Sequence, residues 1–399
     1  MPESLATAAQ NAKEPTVFIN FWYIAAQSGE VKFGTDRPLK VMMLGHTFAL
    51  WRDSKGKVRC ISDTCTHRGG AMADGRIRGD CVECPYHGWT FNGEGTCVRL
   101  PSLGANAKIP ERTRIDAYPV EEKYGLVWVF LGDLPEEERP PIISIPEYDD
   151  PGWRSIILQA DWKIDYKRSI ENTIDPAHNE FTHPTHGFLG VREDYEVRDF
   201  TLEDGPWGVG YHNRMFAPRL AQSDMSKASG RDKEAWIDGG VGHVGPHCTW
   251  VQIDASDSMK LHNYLLHTPI HETLDRWYLV ATRNNLLDAR YDTTFADRSA
   301  FIAGQDQYVL EPQRPRITPR NNAHEFLVPA DKAIARYREY CREWEERGWR
   351  IDVQKFRSEY DRVAYAIPSP ARRQHKSWVL PAVPLLPGKA AAAAAARKA

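Results

Sequence analysis

The sequence predicts an α+β protein: a small all-β unit, then a larger unit in which an antiparallel sheet is flanked by helices. Three observations predict this. From Phe18 to Gly132 short β-rich runs alternate with turn residues, a proline-rich charged stretch then breaks all periodicity, and beyond it helical spacing alternates with aromatic-rich strands. A chain of 399 residues has room for two domains, and at that length no disulfide or metal is needed merely to fold.

In chain order, residues 1–17 read as an N-terminal tail that lacks the basic start and apolar stretch of a secretory signal. Residues 18–133 form the first unit, with LKVMMLG, TFALWRD, VRCISD, YPVEEKY and LVWVFLG as strands and SKGK and NGEG as hairpin turns. Residues 134–152 hold five prolines and a charge run, and are expected to be a linker without regular structure. Residues 153–380 form the second unit. Within it, Trp162 to His183 has helical spacing around a break, and Thr201 to Thr282 alternates in runs such as WGVGYHNRMF, CTWVQID and RWYLVATRN. Asp331 to Arg347 is the clearest helix: Pro329 precedes it, Ile334, Tyr337, Cys341 and Trp344 make one apolar stripe, and Gly348 stops it. Residues 381–399 end in the low-complexity GKAAAAAAARKA and read as a tail.

The composition, 42% hydrophobic and 26% charged, is that of a soluble globular protein. A formal charge of −3 argues against sequence-independent binding of nucleic acid, which needs a basic surface. The longest apolar run, GLVWVFLG, is strand-sized, so no membrane span is expected. Seven cysteines, an odd number without a signal, point to reduced thiols and a cytoplasmic setting.

Five of those cysteines crowd between Cys60 and Cys97. Two are followed closely by histidine, as Cys65-Thr-His67 and, after sixteen intervening residues, Cys84-Pro-Tyr-His87. Such pairs on two loops can hold a [2Fe–2S] centre with two thiolates on one iron and two imidazoles on the other. Structural zinc can also take two Cys and two His. Zinc loops usually pair like with like, however, whereas each loop here offers one of each. Cys81-Val-Glu-Cys84 resembles half of a zinc ribbon but has no second C-x-x-C, and Cys60, Cys81 and Cys97 read as thiols that bind no metal.

A second constellation is Asn172-Thr-Ile-Asp175-Pro-Ala-His178-Asn-Glu-Phe-Thr-His183-Pro184. Two His and one carboxylate on one face of an iron leave the other positions open for O2. His178 and His183 lie about 140° apart on a regular helix, so both can face one ion only if the helix is broken. Pro176 and Pro184 supply the break. The zinc-hydrolase H-E-x-x-H reading fails on spacing and on the missing Glu after the first His.

CTHRGG followed by CPYHGWTF resembles the Rieske motif of non-haem iron oxygenases, and D-x-x-H-x-x-x-x-H resembles that of their α subunits. The resemblance implies a Rieske [2Fe–2S] cluster on Cys65, His67, Cys84 and His87, with the cysteines on one iron and the histidines on the other. It also implies a mononuclear Fe(II) on His178, His183 and a late acidic residue resembling Asp306 in GQDQYVLEPQRP. Asp288, Asp292 and Asp297 compete for that place, and His186 is a further candidate ligand. By the same resemblance Asp175 is no ligand but a bridge between His178 and His87 of a neighbouring subunit, and Asn172 stands where several demethylating members carry Asn. The FWYIAAQ segment is similar to that of phthalate-, vanillate- and dicamba-type members, which implies a homotrimer of one subunit type.

The implied function is that of a terminal oxygenase component using O2 and a small aromatic substrate. The chain carries no flavin or nicotinamide fingerprint and no plant-type ferredoxin spacing, so a separate NAD(P)H-dependent reductase, directly or through a ferredoxin, is expected to supply electrons. Monooxygenation leading to N- or O-dealkylation is the favoured outcome, with ring dihydroxylation as the alternative. A simple Rieske electron carrier would leave the second constellation without a role. Tyr211, Phe216, Trp236, Trp250 and Tyr264 are candidate pocket residues, although alternating aromatics in a sheet are more often core.

Overall fold

The computed structural model describes residues 16–186, 188, 190–219, 234–256, 259–320 and 324–390. They divide into two compact units, one made of 16–142, 268–271 and 344 onward, the other of 143–267 and 272–343.

The first unit carries three small sheets. β1 (Phe21–Gln27) joins β11 (Leu126–Leu131) and β10 (Val120–Lys123); β2 (Leu39–Met43), β3 (His46–Arg52), β4 (Val58–Ser62) and β9 (Ala117–Tyr118) form a second; β5 (Arg76–Arg78), β6 (Cys81–Glu83), β7 (Thr90–Phe91) and β8 (Cys97–Arg99) form the third. Neighbouring strands within these sheets pair antiparallel. LVWVFL does not alternate because β11 is central and buried along its whole length. The SKGK turn closes because the Asp53 carboxylate accepts the N–H groups of Lys55 and Lys57 at 3.0 and 2.9 Å.

The chain from Trp344 onward belongs to this unit and not, as the sequence reading had it, to the second. The reason is aromatic packing: Trp344 meets Phe18 and Phe21 edge-on at 5.8 and 5.2 Å, and Trp349 meets Phe21 at 5.6 Å. Residues near both expected tails are also tied down. Val17 accepts a backbone bond from Ile351, Val383 donates one to Ala366, and Leu386 donates one to Arg350. Residues 1–15 and 391–399, including the alanine run, lie outside the described residues. The proline-rich linker contains no strand or α-helix, only the short helical turn Glu136–Glu138 and hydrogen-bonded turns over 146–152.

The second unit is a seven-stranded sheet in the order β12 (Arg154–Trp162), β18 (Leu274–Arg283), β17 (Met259–His271), β16 (Cys248–Ser256), β15 (Ala235–Val244), β14 (Gly208–Ala217), β13 (Glu203–Gly205). Period-two alternation puts Tyr211, Val241, Val251 and Asn263 in one cross-strand row and Asn213, Gly239, Ile253 and Leu261 in the next. Four helices accompany the sheet: α1 (Tyr166–Thr173), α2 (Asn179–Thr182) and α4 (Lys332–Glu346), where helical spacing was read, and α3 (Asp292–Leu310), where it was not. Asp165 caps α1 by accepting from Lys167 N–H at 3.2 Å. Buried Arg338 of α4 grips Glu171 of α1 with two bonds of 2.7 and 2.8 Å. The expected helix over 331–347 is α4 preceded by a turn at Pro329–Asp331, and its stripe Ile334, Tyr337, Cys341 and Trp344 is buried.

Candidate functional site

In the first unit, the loop after β4 carries Cys65 and His67, and the loop between β6 and β7 carries Cys84 and His87. Each loop closes on itself: Cys65 N–H donates to Gly70 and Gly69 N–H to Cys65, while Cys84 N–H donates to Trp89 and Gly88 N–H to Cys84. Gly69 and Gly88 sit at φ +71° and +70°, where a side chain would be strained. Both cysteines are buried and both histidines are exposed. The imidazole centroids of His67 and His87 are 4.4 Å apart, and His67 stacks on Trp89.

The Cys65 and Cys84 thiols share a hydrogen bond. It draws the Cys84 thiol down to about 6, helped by the backbone N–H groups of Tyr86 and His87, and it raises that of Cys65. Buried sulfur that already receives backbone N–H groups is prepared to be thiolate, and two imidazoles stand on the solvent side. This donor set fits a [2Fe–2S] cluster held half buried, half exposed. Cys60 and Cys97 are buried free thiols and Cys81 a partly exposed one.

In the second unit α1 ends at Thr173, and the 175–178 loop leads into α2. The break does what the prolines predict: His178 is helical, whereas His183, just before Pro184, has left helical geometry at φ −113°, ψ 68°. Both rings thereby face α3. His183 Nε2 lies 3.4 Å and His178 Nε2 3.8 Å from Asp306 Oδ1. The three donor atoms lie within 4.8 Å of one another.

The opposite ring nitrogens are fixed by acceptors. His178 Nδ1 is 2.8 Å from the Asp175 carbonyl and His183 Nδ1 is 3.0 Å from Gln305 Oε1. Both Nδ1 atoms therefore hold the proton, and both Nε2 atoms present lone pairs toward a carboxylate. Lone pairs and a carboxylate oxygen converge without repulsion only around a cation, so this donor set fits an Fe(II)-type ion with an open face. Burial lowers the His183 imidazole from its usual range, against the opposing pull of Asp306, which favours the neutral ligand form. Asn172 Nδ2 donates to Asp306 Oδ1 at 3.0 Å.

Within its own chain Asp175 meets His178 through the main chain. Its backbone carbonyl, not its carboxylate, meets His178; the carboxylate Oδ2 is 4.0 Å from Nδ1, and Oδ1 accepts from Ala177 N–H at 2.7 Å. Burial raises the carboxyl above its ordinary value, opposed by His178. The competing acids have other duties. Asp292 binds Arg154 and Arg283, Asp288 caps the turn before α3, and Asp297 is exposed. His186 lies beside His183, centroids 5.2 Å apart, outside the three-donor group.

Three residues, Gln305, Tyr195 and Glu180, escaped the sequence reading, as did the loop-holding role of Tyr211. Gln305 was adjacent to Asp306 in the GQDQ run, and that position was its only signal. Tyr195 and Tyr211 clamp the loop by donating to the carbonyls of Ala177 and Ile174, both at 3.1 Å. Glu180 is buried on the cavity wall with no hydrogen-bond partner for either oxygen among the described residues.

The three donors open on a cavity of about 490 Å³ between the sheet and α3. Of the expected lining residues, Tyr211, Phe216 and Trp236 are present. Trp250 points to the other sheet face, where a side chain at Gly242 would meet its ring at 2.6 Å, and Tyr264 is buried with its hydroxyl on Glu147.

Residues 21–119 match the Rieske [2Fe-2S] domain family, and residues 162–347 match the vanillate O-demethylase oxygenase C-terminal domain family. Among curated proteins, the chloroplastic protein TIC 55 of Pisum sativum is 32% identical over 76% of this chain and 54% of its own length. The iron-sulfur subunit of the toluene-4-sulfonate monooxygenase system of Comamonas testosteroni is 34% identical over 42% of this chain and 46% of its own. The chain thus spans about half the length of these curated relatives. A crystal structure of dicamba monooxygenase bound to 3,6-dichlorosalicylic acid shares the fold, with a TM-score of 0.68 at 22% identity over 82% of this chain and 98% of that one.

Proposed function

The chain belongs to the Rieske non-haem iron oxygenases, and on that premise we propose that it is the terminal oxygenase component of a multicomponent system. A separate NAD(P)H-dependent reductase, directly or through a ferredoxin, would deliver electrons, and a small aromatic compound would be oxygenated with O2. We infer monooxygenation that leads to N- or O-dealkylation. The observation that carries this reading is the convergence of His178 and His183 Nε2 on Asp306 at the wall of a largely apolar cavity, in a chain that also carries the Cys65, His67, Cys84 and His87 set.

When bound, the cluster supplies single electrons and the mononuclear iron supplies activation of O2. The chain's own residues do the rest. The Asp175 carbonyl and Gln305 hold the Nδ1 protons of His178 and His183 and so fix both rings. Asn172 steadies the Asp306 oxygen, and apolar walls keep bulk water from the reacting carbon. Exposed His67 and His87 support electron delivery across a subunit boundary, with Asp175 of one chain linking to His87 of the next in a homotrimer. The free state of all seven cysteines supports a reducing, cytoplasmic setting, and no described helix is long and apolar enough to cross a membrane.

Dealkylation is favoured because hydroxylating a carbon beside oxygen or nitrogen gives a product that sheds an aldehyde. The vanillate O-demethylase family match agrees with it. The deciding experiment is product analysis with 18O2 across aromatic ethers, amides and acids, using a surrogate reductase. One labelled oxygen with released aldehyde is expected; a ring diol carrying two would replace dealkylation with dihydroxylation.

A further inference from the structure

Residues 190–199 run along the 490 Å³ cavity without belonging to a strand or helix, and Arg192, Tyr195, Val197 and Arg198 form part of its wall. Side-chain contacts fasten this strap. At the exposed end of the cavity the Arg192 guanidinium lies 4.4 Å from the centroid of the Phe216 ring, and that of Arg198 lies 3.9 Å from the centroid of Trp236. Arg192 also pairs with Asp194 inside the strap at 3.5 Å. Phe216 and Trp236 are partners across β14 and β15 and meet edge-on at 5.9 Å. Toward the iron ligands, the Tyr195 hydroxyl donates to the Ala177 carbonyl at 3.1 Å, and its ring meets Phe181 of α2 edge-on at 5.7 Å. The strap ends where Lys332 binds the Asp199 carboxylate at 2.5 Å and Phe200 stacks at 4.0 Å on Tyr211, whose hydroxyl donates to the Ile174 carbonyl.

The turn held in this way has two duties. The Ala177 N–H donates to the Asp175 carboxylate at 2.7 Å, and the Asp175 carbonyl fixes Nδ1 of His178 at 2.8 Å. The Tyr195 hydroxyl therefore acts on a residue lying between a ligand imidazole and the carboxylate proposed to carry the electron, and it bonds to neither. Burial, then the charges of Asp175 and Glu180, push the phenol up to about 12, so it keeps its proton and donates through the neutral range. Cation–aromatic stacks at exposed positions are weak, so a group entering the cavity can displace them. Tyr195 stands three residues from each arginine, about 10 Å of chain at full extension. The two ends of the strap cannot shift independently over so short a span.

We propose that Tyr195 is a positioning residue for electron delivery: the strap sets the Asp175–His178 turn from the far end of the cavity, and whatever moves Arg192 or Arg198 off Phe216 and Trp236 also moves that turn. This rests on the oxygenase reading above for the electron alone; the hold on His178 stands without it.

The test is flash reduction of the cluster, by a photoexcited flavin, in iron-loaded protein whose mononuclear iron has first been oxidised to the ferric state. One electron then leaves the cluster and reduces ferric to ferrous iron, and the cluster's visible absorbance follows its departure. Tyr195→Phe, which removes only the hydroxyl, should slow this transfer about ten-fold, with iron content and the cluster spectrum retained as evidence of folding. Arg198→Gln has no bond to the turn and should slow it about three-fold. The double variant should be no slower than Tyr195→Phe alone, as two links of one chain of contacts require. A second readout is the electron paramagnetic resonance of the nitric oxide adduct of the ferrous site, expected as one species in the wild-type chain and broadened or split in Tyr195→Phe. An unchanged rate in Tyr195→Phe would overturn its part in electron delivery, and an unchanged nitrosyl spectrum its hold on His178. Additive losses in the double variant would break the link to the far end of the cavity. No transfer at all in the wild-type chain would sink the oxygenase reading, and the nitrosyl spectrum then decides the positioning role by itself.

Discussion

At the residue scale, the behaviour of the site depends on which nitrogen of each imidazole holds its proton. The acceptors behind His178 and His183 are a backbone carbonyl and the Gln305 side chain, so only the second can be removed by substitution. Gln305→Leu is expected to weaken iron binding about 10- to 100-fold, the usual cost of losing such a partner, as read by iron retention during chelator dialysis. His178→Ala or His183→Ala should abolish oxygenation and lower iron from about three to about two per chain, leaving the cluster spectrum intact. Loss of the cluster instead would mean that these histidines serve the wrong centre. Asp175→Asn should slow single-turnover electron transfer with both metals present. Its carboxylate already accepts from Ala177 within its own chain, and an unchanged rate would reduce it to a loop residue.

At the element scale, α3 is fastened by its first residue. Asp292 receives Arg154 of β12 and Arg283 of β18, and these hydrogen bonds, Arg154 first, hold its carboxyl down to about 2. A carboxyl depressed on folding stabilises the fold above its unfolded value near 4, and that contribution is lost as pH falls through the folded value. Acid unfolding between about pH 4 and 2 should therefore be less steep in Asp292→Asn, measured by circular dichroism; an unchanged profile would mean the pair contributes nothing. α1 and α4 depend on buried Arg338 between Glu171 and Glu325. Arg338→Met leaves buried carboxylate without its cation and should destabilise by about 3–5 kcal/mol in urea.

At the scale of the whole molecule, the chain from Trp344 onward is part of the cluster-bearing unit. Trp344→Ala would open a hole among Phe18 and Phe21 and should cost about 3–5 kcal/mol. The homotrimer is tested by light scattering, where three times the chain mass is expected. It is tested more sharply by mixing subunits. Cys84→Ser lacks its cluster and His178→Ala lacks its iron site, yet trimers reassembled from both should recover activity if electrons cross between chains. No recovery would place the transfer within one chain.

The chemistry was legible in the sequence because metal ligands must be particular residue types at spacings the backbone can close. Cys65, His67, Cys84, His87, His178 and His183 are local pairs, and Pro176 and Pro184 announce the break that lets two histidines five apart share one centre. Strands and helices were legible for the same local reason, since period and turn residues act over a few positions. Asp306 was set above Asp288, Asp292 and Asp297 by resemblance alone, and folding supplies the physical reason, because helix position and existing hydrogen bonds decide which carboxylate is free to face the histidines. Tertiary structure alone revealed Gln305, the tyrosine clamps on the loop and the assignment of the chain after Trp344. Each of these depends on which distant groups pack together, and no local pattern records that.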